Sequence, residues 1–135
     1  MKISAGTIVT DGDYFLIGHV THTSRFDIPK GKVEHDESPL EAAIRELKEE
    51  TNLTAGPADL QDLGEISYIP GKRLHLYKWN LPSKIDAKFL SALKCNSTTS
   101  TGLYEFDYFQ TILPDMAEHY LTNSMIKSLQ RVNFL

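Results

Sequence analysis

The chain has 135 residues, a single cysteine and a formal net charge of −4. That length suits one domain over 1–135, and the negative balance excludes bulk attraction to nucleic acid or to an anionic membrane. A lone Cys95 excludes an internal disulfide and fits a reducing compartment. No apolar run is long enough to span a bilayer, and MKISAGTIVTDGDYFLIG lacks the apolar segment of a signal peptide, so a cytoplasmic location is expected.

In chain order, ISAGTIVT (3–10) is rich in Ile, Val and Thr and predicts a strand. DGD (11–13) is a turn signal, and YFLIGHV (14–20) predicts a second strand closing a hairpin. Short extended pieces follow at 26–28 and 32–34, around Pro29 and Gly31. The segment from Ser38 to about Thr51 predicts a helix. Ser38 suits the N-cap, Pro39 the first helical position, and Glu41 completes a capping box. Leu40, Ala43, Ile44 and Leu47 form one apolar stripe. Asn52 stands where a left-handed residue often ends a helix. Residues 55–64 read as a loop, and 65–81 as a hairpin around PGK. A short helix is expected at 86–94, a polar loop over NSTTSTG, an extended stretch at 103–112 and a closing helix over 113–132. Met116, Tyr120, Leu121, Ile126 and Leu129 are its expected core residues. Strands interspersed with helices imply a mixed α/β sandwich.

The chemistry concentrates in PKGKVEHDESPLEAAIRELKEETNL (29–53). Glu46, Glu49 and Glu50 come from adjacent turns of the expected helix, largely away from its apolar stripe. Like charges at this spacing destabilise a helix by a few tenths of a kcal/mol per pair, roughly. One explanation is a solvated helix face. The other is a site for a hard divalent cation, because clustered carboxylates convert mutual repulsion into affinity for Mg²⁺ or Mn²⁺. The preceding loop favours the second, since Lys30 and Lys32 flank Gly31, a residue that lets backbone approach a ligand.

Gly31, Glu37 and the run Arg45-Glu46-Leu47-Lys48-Glu49-Glu50-Thr51-Asn52-Leu53 resemble the box of the Nudix family, G-x5-E-x7-R-E-U-x-E-E-x-G-U, where U is aliphatic. Asn52 replaces the late glycine. The resemblance implies an α/β/α sandwich with a mixed sheet and a loop-helix-loop catalytic motif. It also implies metal-dependent hydrolysis of a pyrophosphate bond in a nucleoside diphosphate derivative. Carried onto this sequence, Glu46, Glu49 and Glu50 hold Mg²⁺ or Mn²⁺, while Arg45 and Glu37 support them, Arg45 by holding Glu49. Glu105 is a further candidate metal ligand or base from a later loop, set against a plain strand-edge carboxylate.

Arg25, Lys30, Gly31, Lys32, Lys72 and Arg73 are candidate substrate-phosphate contacts, Lys30 foremost. Tyr68 and Tyr77 are candidates for stacking on a base, although Tyr77 and Trp79 share a strand face and suit packing. His35 and His75 read as surface or packing residues. FDIPKGKVE resembles the version of the box in diadenosine-polyphosphate and diphosphoinositol-polyphosphate members, favouring a dinucleoside polyphosphate. ADP-ribose, a nucleoside triphosphate or an RNA 5′ end are the alternatives. A non-catalytic nucleotide sensor and an acidic interaction surface are the competing classes. The expected partner is a small nucleotide, with no membrane and no nucleic acid beyond a capped RNA end.

Overall fold

The computed structural model describes residues 2–135. Strand β1 (Lys2–Thr10) is the centre of the sheet. On one side it runs parallel to β6 (Lys72–Asn80) along its whole length, from Lys2 opposite Lys72 to Thr10 opposite Asn80. On its other side it pairs antiparallel with the short β4 (Lys30–Lys32). Strand β6 pairs in turn with β5 (Leu60–Ile69). Strand β2 (Phe15–Val20) carries β3 (Phe26–Asp27) and β7 (Phe106–Ile112). The mixed sheet is therefore ordered β3-β2-β1-β6-β5, with β4 and β7 branching from it.

The expected hairpin over 3–20 is corrected. Strands β1 and β2 share one register pair, Thr10 opposite Phe15, and then part. The turn itself forms as the DGD signal predicts, with the Asp11 Oδ1 accepting from the backbone N–H groups of Asp13 and Tyr14 at 3.0 and 2.8 Å. Beyond it, β1 is taken by β6 and β4, and β2 by β7. The divergence lets Pro29–Lys32 enter the sheet beside β1.

Alternation along the strands builds a core on each face. Ile8, Phe15, Ile17, Leu74 and Leu76 point to one face, where Leu121, Met125 and Leu129 cover them. Ala5, Val9, Leu16 and Tyr77 point to the other, against Ala42, Ala43 and Leu47. Helix α3 (Asn123–Arg131) covers the first face and α1 (Pro39–Thr51) the second, which makes the α/β/α sandwich.

Helix α1 is capped at both ends as the sequence implies. Ser38 Oγ accepts from the Glu41 N–H at 3.1 Å, and the Glu41 carboxylate accepts from the Ser38 N–H at 2.9 Å. Asn52 closes the helix at φ 69°, its N–H donating to the Lys48 carbonyl. Two other boundaries move. Strand β5 begins at Leu60 rather than 65, because residues 60–62 pair with Trp79–Tyr77 before a bulge at Gly64. The single helix over 113–132 is instead a short 3₁₀ helix (Pro114–His119) followed by α3, because Thr122 caps a new start and accepts from the Met125 N–H at 3.3 Å. The phase changes with it: Met125 is fully buried, whereas Met116, expected in the core, is 41% exposed. Helix α2 is shorter than expected, Ala87–Ser91. No described helix is long and apolar enough to cross a membrane.

Candidate active site

Helix α1 packs across β4, and the contact depends on Gly31. Any Cβ there would lie far inside van der Waals distance of the Glu46 carboxylate. The missing side chain is the space that Glu46 fills. One turn on, the Glu50 Oε1 accepts the backbone N–H of Lys30 at 2.8 Å. Glu46 and Glu50 are thus buried, at 9% and 3% exposure, and the solvated-face explanation fails for both. It holds for Glu49, whose side chain is 43% exposed.

Arg45 organises the entrance. Its Nε and Nη2 donate to the two Glu37 oxygens at 2.7 and 2.9 Å, a bidentate pair. Its Nη2 also reaches the Lys32 carbonyl at 2.9 Å, and its Nη1 reaches Glu46 Oε1 at 2.8 Å. The expectation that Arg45 chiefly holds Glu49 is corrected, since that contact is longer, 3.4 Å.

Glu105 arrives from a distant loop. The Lys94 N–H donates to the Thr51 carbonyl at 3.0 Å and the Asn96 N–H to the Glu49 carbonyl at 2.6 Å. These bonds dock the chain on the last turn of α1 and satisfy carbonyls that the helix leaves unpaired. The loop folds back on itself, with Thr98 bridged to Tyr104 and the Glu105 N–H donating to the Ser97 carbonyl at 2.9 Å. The Glu105 carboxylate comes to rest against Glu50.

The electrostatics follow. Burial pushes the Glu50 carboxyl well above its ordinary range, Glu105 and Glu46 push it further, and the Lys30 N–H only partly opposes them. Burial also raises Glu46, outweighing Arg45, with Glu49 and Glu105 adding repulsion. Glu37 goes the other way, its hydrogen bonds from Arg45 holding it down to about 2. Arg45 is itself held more firmly protonated, chiefly by Glu37. Two strained carboxylates therefore stand beside two stabilised charges. Buried acids kept near one another resist ionising together, which is the condition that a multivalent cation relieves.

Glu50 and Glu105 open onto a cavity of about 490 Å³, also lined by Asp27, Ile28, Lys30, Thr21 and Phe106. The Lys30 ammonium pairs with Asp27 at 3.0 Å and stands 5.7 Å from the Tyr68 ring centre. Burial works against its charge, yet Asp27, Tyr68 and Glu50 leave its proton held more tightly than usual.

The remaining candidates divide. Tyr77 is corrected: it is 4% exposed in the core beneath α1, so its ring faces helix rather than ligand. Lys72 is also corrected, because it lines a separate cleft with Tyr68 and Arg131 that includes no residue of the box. Arg73 is engaged by Glu65 at 2.6 Å. Arg25 is outside the cavity lining, though close enough to influence Tyr68. Lys32 has an exposed side chain and contributes its carbonyl, to Arg45. His35 is exposed, and His75 bonds Asp62 at 2.7 Å. Cys95 is buried and its thiol donates to the Ser97 carbonyl. Sequence reasoning missed Thr21 and Asp27 as cavity residues. Asp27 stands three residues before Lys30, and that closeness in the chain is the available signal.

The family model described as NUDIX domain matches residues 1–79. The chain belongs to the Nudix family. This Nudix chain is 35% identical over 117 residues to protein 111R of Invertebrate iridescent virus 3, covering 83% of this chain and 66% of that one. It is 31% identical over 87 residues to the CTP pyrophosphohydrolase of Escherichia coli strain K12, covering 61% and 62%. It therefore spans less than two thirds of the length of either relative. Its fold is similar to that of a C. elegans Ap4A hydrolase, with a TM-score of 0.65, 20% identity and coverage of 98% and 96%. It is also similar to that of a MutT NUDIX hydrolase from Burkholderia pseudomallei, with a TM-score of 0.72, 15% identity and coverage of 97% of each chain.

Proposed function

We propose that this chain, as one Nudix domain over 1–135, hydrolyses a pyrophosphate bond in a nucleoside diphosphate derivative. The observation that carries the reading is the burial of Glu46 and Glu50 against the Lys30–Gly31 backbone, with Glu105 brought beside them. A merely solubilising acidic face would not be folded inward at this electrostatic cost.

The donor set fits a divalent cation, Mg²⁺ or Mn²⁺. It is made of hard carboxylate oxygens whose charges oppose one another until a cation balances them. Glu46, Glu49, Glu50 and Glu105 would hold it. Among the described residues no three such groups surround a common point as they stand. When bound, the cation supplies charge neutralisation on the diphosphate oxygens and a more acidic water. Arg45 keeps Glu37 and Glu46 in place throughout, and a ligand fixed this way loses little freedom on binding. Lys30 offers an ammonium at the cavity wall for a phosphate oxygen, since its pairing with Asp27 leaves donors to spare. Carboxylates of the cluster accept the proton that the attacking water gives up.

For the substrate, the PKGKVE form of the box supports a dinucleoside polyphosphate such as diadenosine tetraphosphate. A nucleoside triphosphate is the second reading, favoured by the relative named CTP pyrophosphohydrolase. The partner is then a small cytoplasmic nucleotide.

The test is turnover of diadenosine polyphosphates, nucleoside triphosphates, ADP-ribose and capped RNA by the purified protein with Mg²⁺ or Mn²⁺. Glu46→Gln and Glu50→Gln serve as controls. Metal-dependent release of a mononucleotide or pyrophosphate, abolished in both variants, is the expected result. Turnover that survives in both variants would remove the carboxylate roles.

A further inference from the structure

The cavity extends beyond the carboxylates. Past Glu50 and Glu105 its wall includes Val20, Ile28, Leu103 and Phe106, an apolar lining suited to a flat heterocycle. Asp27, Thr21, Thr99 and Thr101 interrupt it with polar side chains. Asp27 accepts the Ile28 N–H on Oδ1 at 2.8 Å and pairs through Oδ2 with Lys30 at 3.0 Å. A carboxylate has further lone pairs, so each oxygen keeps capacity for another donor. Thr21 donates its backbone N–H to the Glu105 carbonyl at 3.1 Å, but its hydroxyl is buried and has no hydrogen-bond partner. A buried hydroxyl is seldom left so, and Thr21 is one of the residues that line the cavity.

Resting on the nucleotide-hydrolase reading, we propose that Asp27 and Thr21 read the edge of a nucleobase that carries an exocyclic amine, and so set the base preference of this protein. The chemistry is one-sided at Asp27. An ionised carboxylate only accepts, so the group facing it must donate. An amine does. A keto oxygen at the same position places lone pair against lone pair. Thr21 can donate or accept, and so pairs with the ring nitrogen beside the amine in either state. Lys30 links this reader to the phosphate end, because the same ammonium that faces Glu50 also holds Asp27. The Ile28 N–H fixes the other oxygen, so the carboxylate is aimed before any ligand arrives.

The experiment compares bases that differ in that one group. Binding of CMP against UMP, and of AMP against IMP, is followed by NMR shift changes on the intact protein without metal. The values of kcat/KM for CTP against UTP are measured with Mn²⁺. The amine-bearing member should bind and react at least about 10-fold better, as polar-reading pockets do. Asp27→Asn, which presents a donor as well as an acceptor, should erase or reverse that preference. Thr21→Val should weaken CMP and AMP while leaving the melting temperature near that of the parent. Equal affinity for both members of each pair in the parent protein overturns the proposal even if turnover is normal. So does an unchanged preference in folded Asp27→Asn. If Asp27→Asn does not fold, the parent comparison and Thr21→Val decide. Binding and turnover of no nucleotide at all would remove the hydrolase reading itself.

Discussion

Replacing Gly31 with alanine tests the packing on which the site depends. The added methyl would overlap the Glu46 carboxylate, which lies between β4 and Arg45. Strand β4 is held by β1 through three register pairs, Ser4–Lys32, Ala5–Gly31 and Gly6–Lys30, so backbone retreat is restricted. Glu46 must move, and it then loses the 2.8 Å bond from Arg45. Overpacking at a buried site costs about 1–3 kcal/mol, and losing a charge-assisted hydrogen bond about 1.5–3 kcal/mol. Partial relief through rotation of Glu46 brings the net to about 2–4 kcal/mol. For a chain of this size that is a fall in Tm of roughly 6–15 °C. The assay is a thermal melt without metal, paired with a Mn²⁺ titration. The melt should fall in that range and Mn²⁺ affinity should drop at least about 10-fold. A variant that melts within a degree or two of the parent and binds Mn²⁺ equally well would refute the claim that Gly31 makes room for Glu46.

Glu50→Gln should raise the melting temperature of the metal-free protein above neutral pH while abolishing turnover. The Glu50 proton is held more tightly folded than unfolded, so the parent loses stability as pH rises from the ordinary value of 4.5 through the raised one, and the variant should not. Parallel stability-versus-pH curves would count against this. Glu37→Gln should cost about 1–3 kcal/mol by weakening the bidentate Arg45 pair. In the parent that contribution is complete above 4.5 and is lost as pH falls toward about 2, which acid titration of the melt can follow. Asn52→Gly should leave stability within a few tenths of a kcal/mol of the parent, whereas Asn52→Val, forced to φ 69°, should cost about 1–2 kcal/mol. Chemical denaturation measures both.

Several features were legible because they depend on neighbours in the chain. The capping box at Ser38 and Glu41, the left-handed close at Asn52 and the stripe through Leu47 are all local to α1, and all appear as read. The turn at Asp11 and the PGK turn before β6 are local too, the second relying on Gly71 at φ 78°. Errors came where partners are distant. The closing helix was read through Thr122 because Met116 and Tyr120 keep an apolar rhythm, yet the hydroxyl cap and the core beneath α3 break it. The strand pattern leaves Tyr77 between base stacking and packing, and only the seating of α1 on that face decides for packing.

By itself the amino-acid sequence determined that residues 38–52 form a capped helix bearing three carboxylates after a glycine and two lysines, because caps, periodicity and turn chemistry act over a few residues. The tertiary structure alone decided that Glu46 and Glu50 turn inward while Glu49 stays out, that β1 leaves β2 for β6, and that Glu105 meets Glu50. Those outcomes depend on strand β4 sliding beneath α1 and on a remote loop bonding the last carbonyls of the helix. No local pattern encodes such meetings, because they exist only once the sheet has chosen its partners.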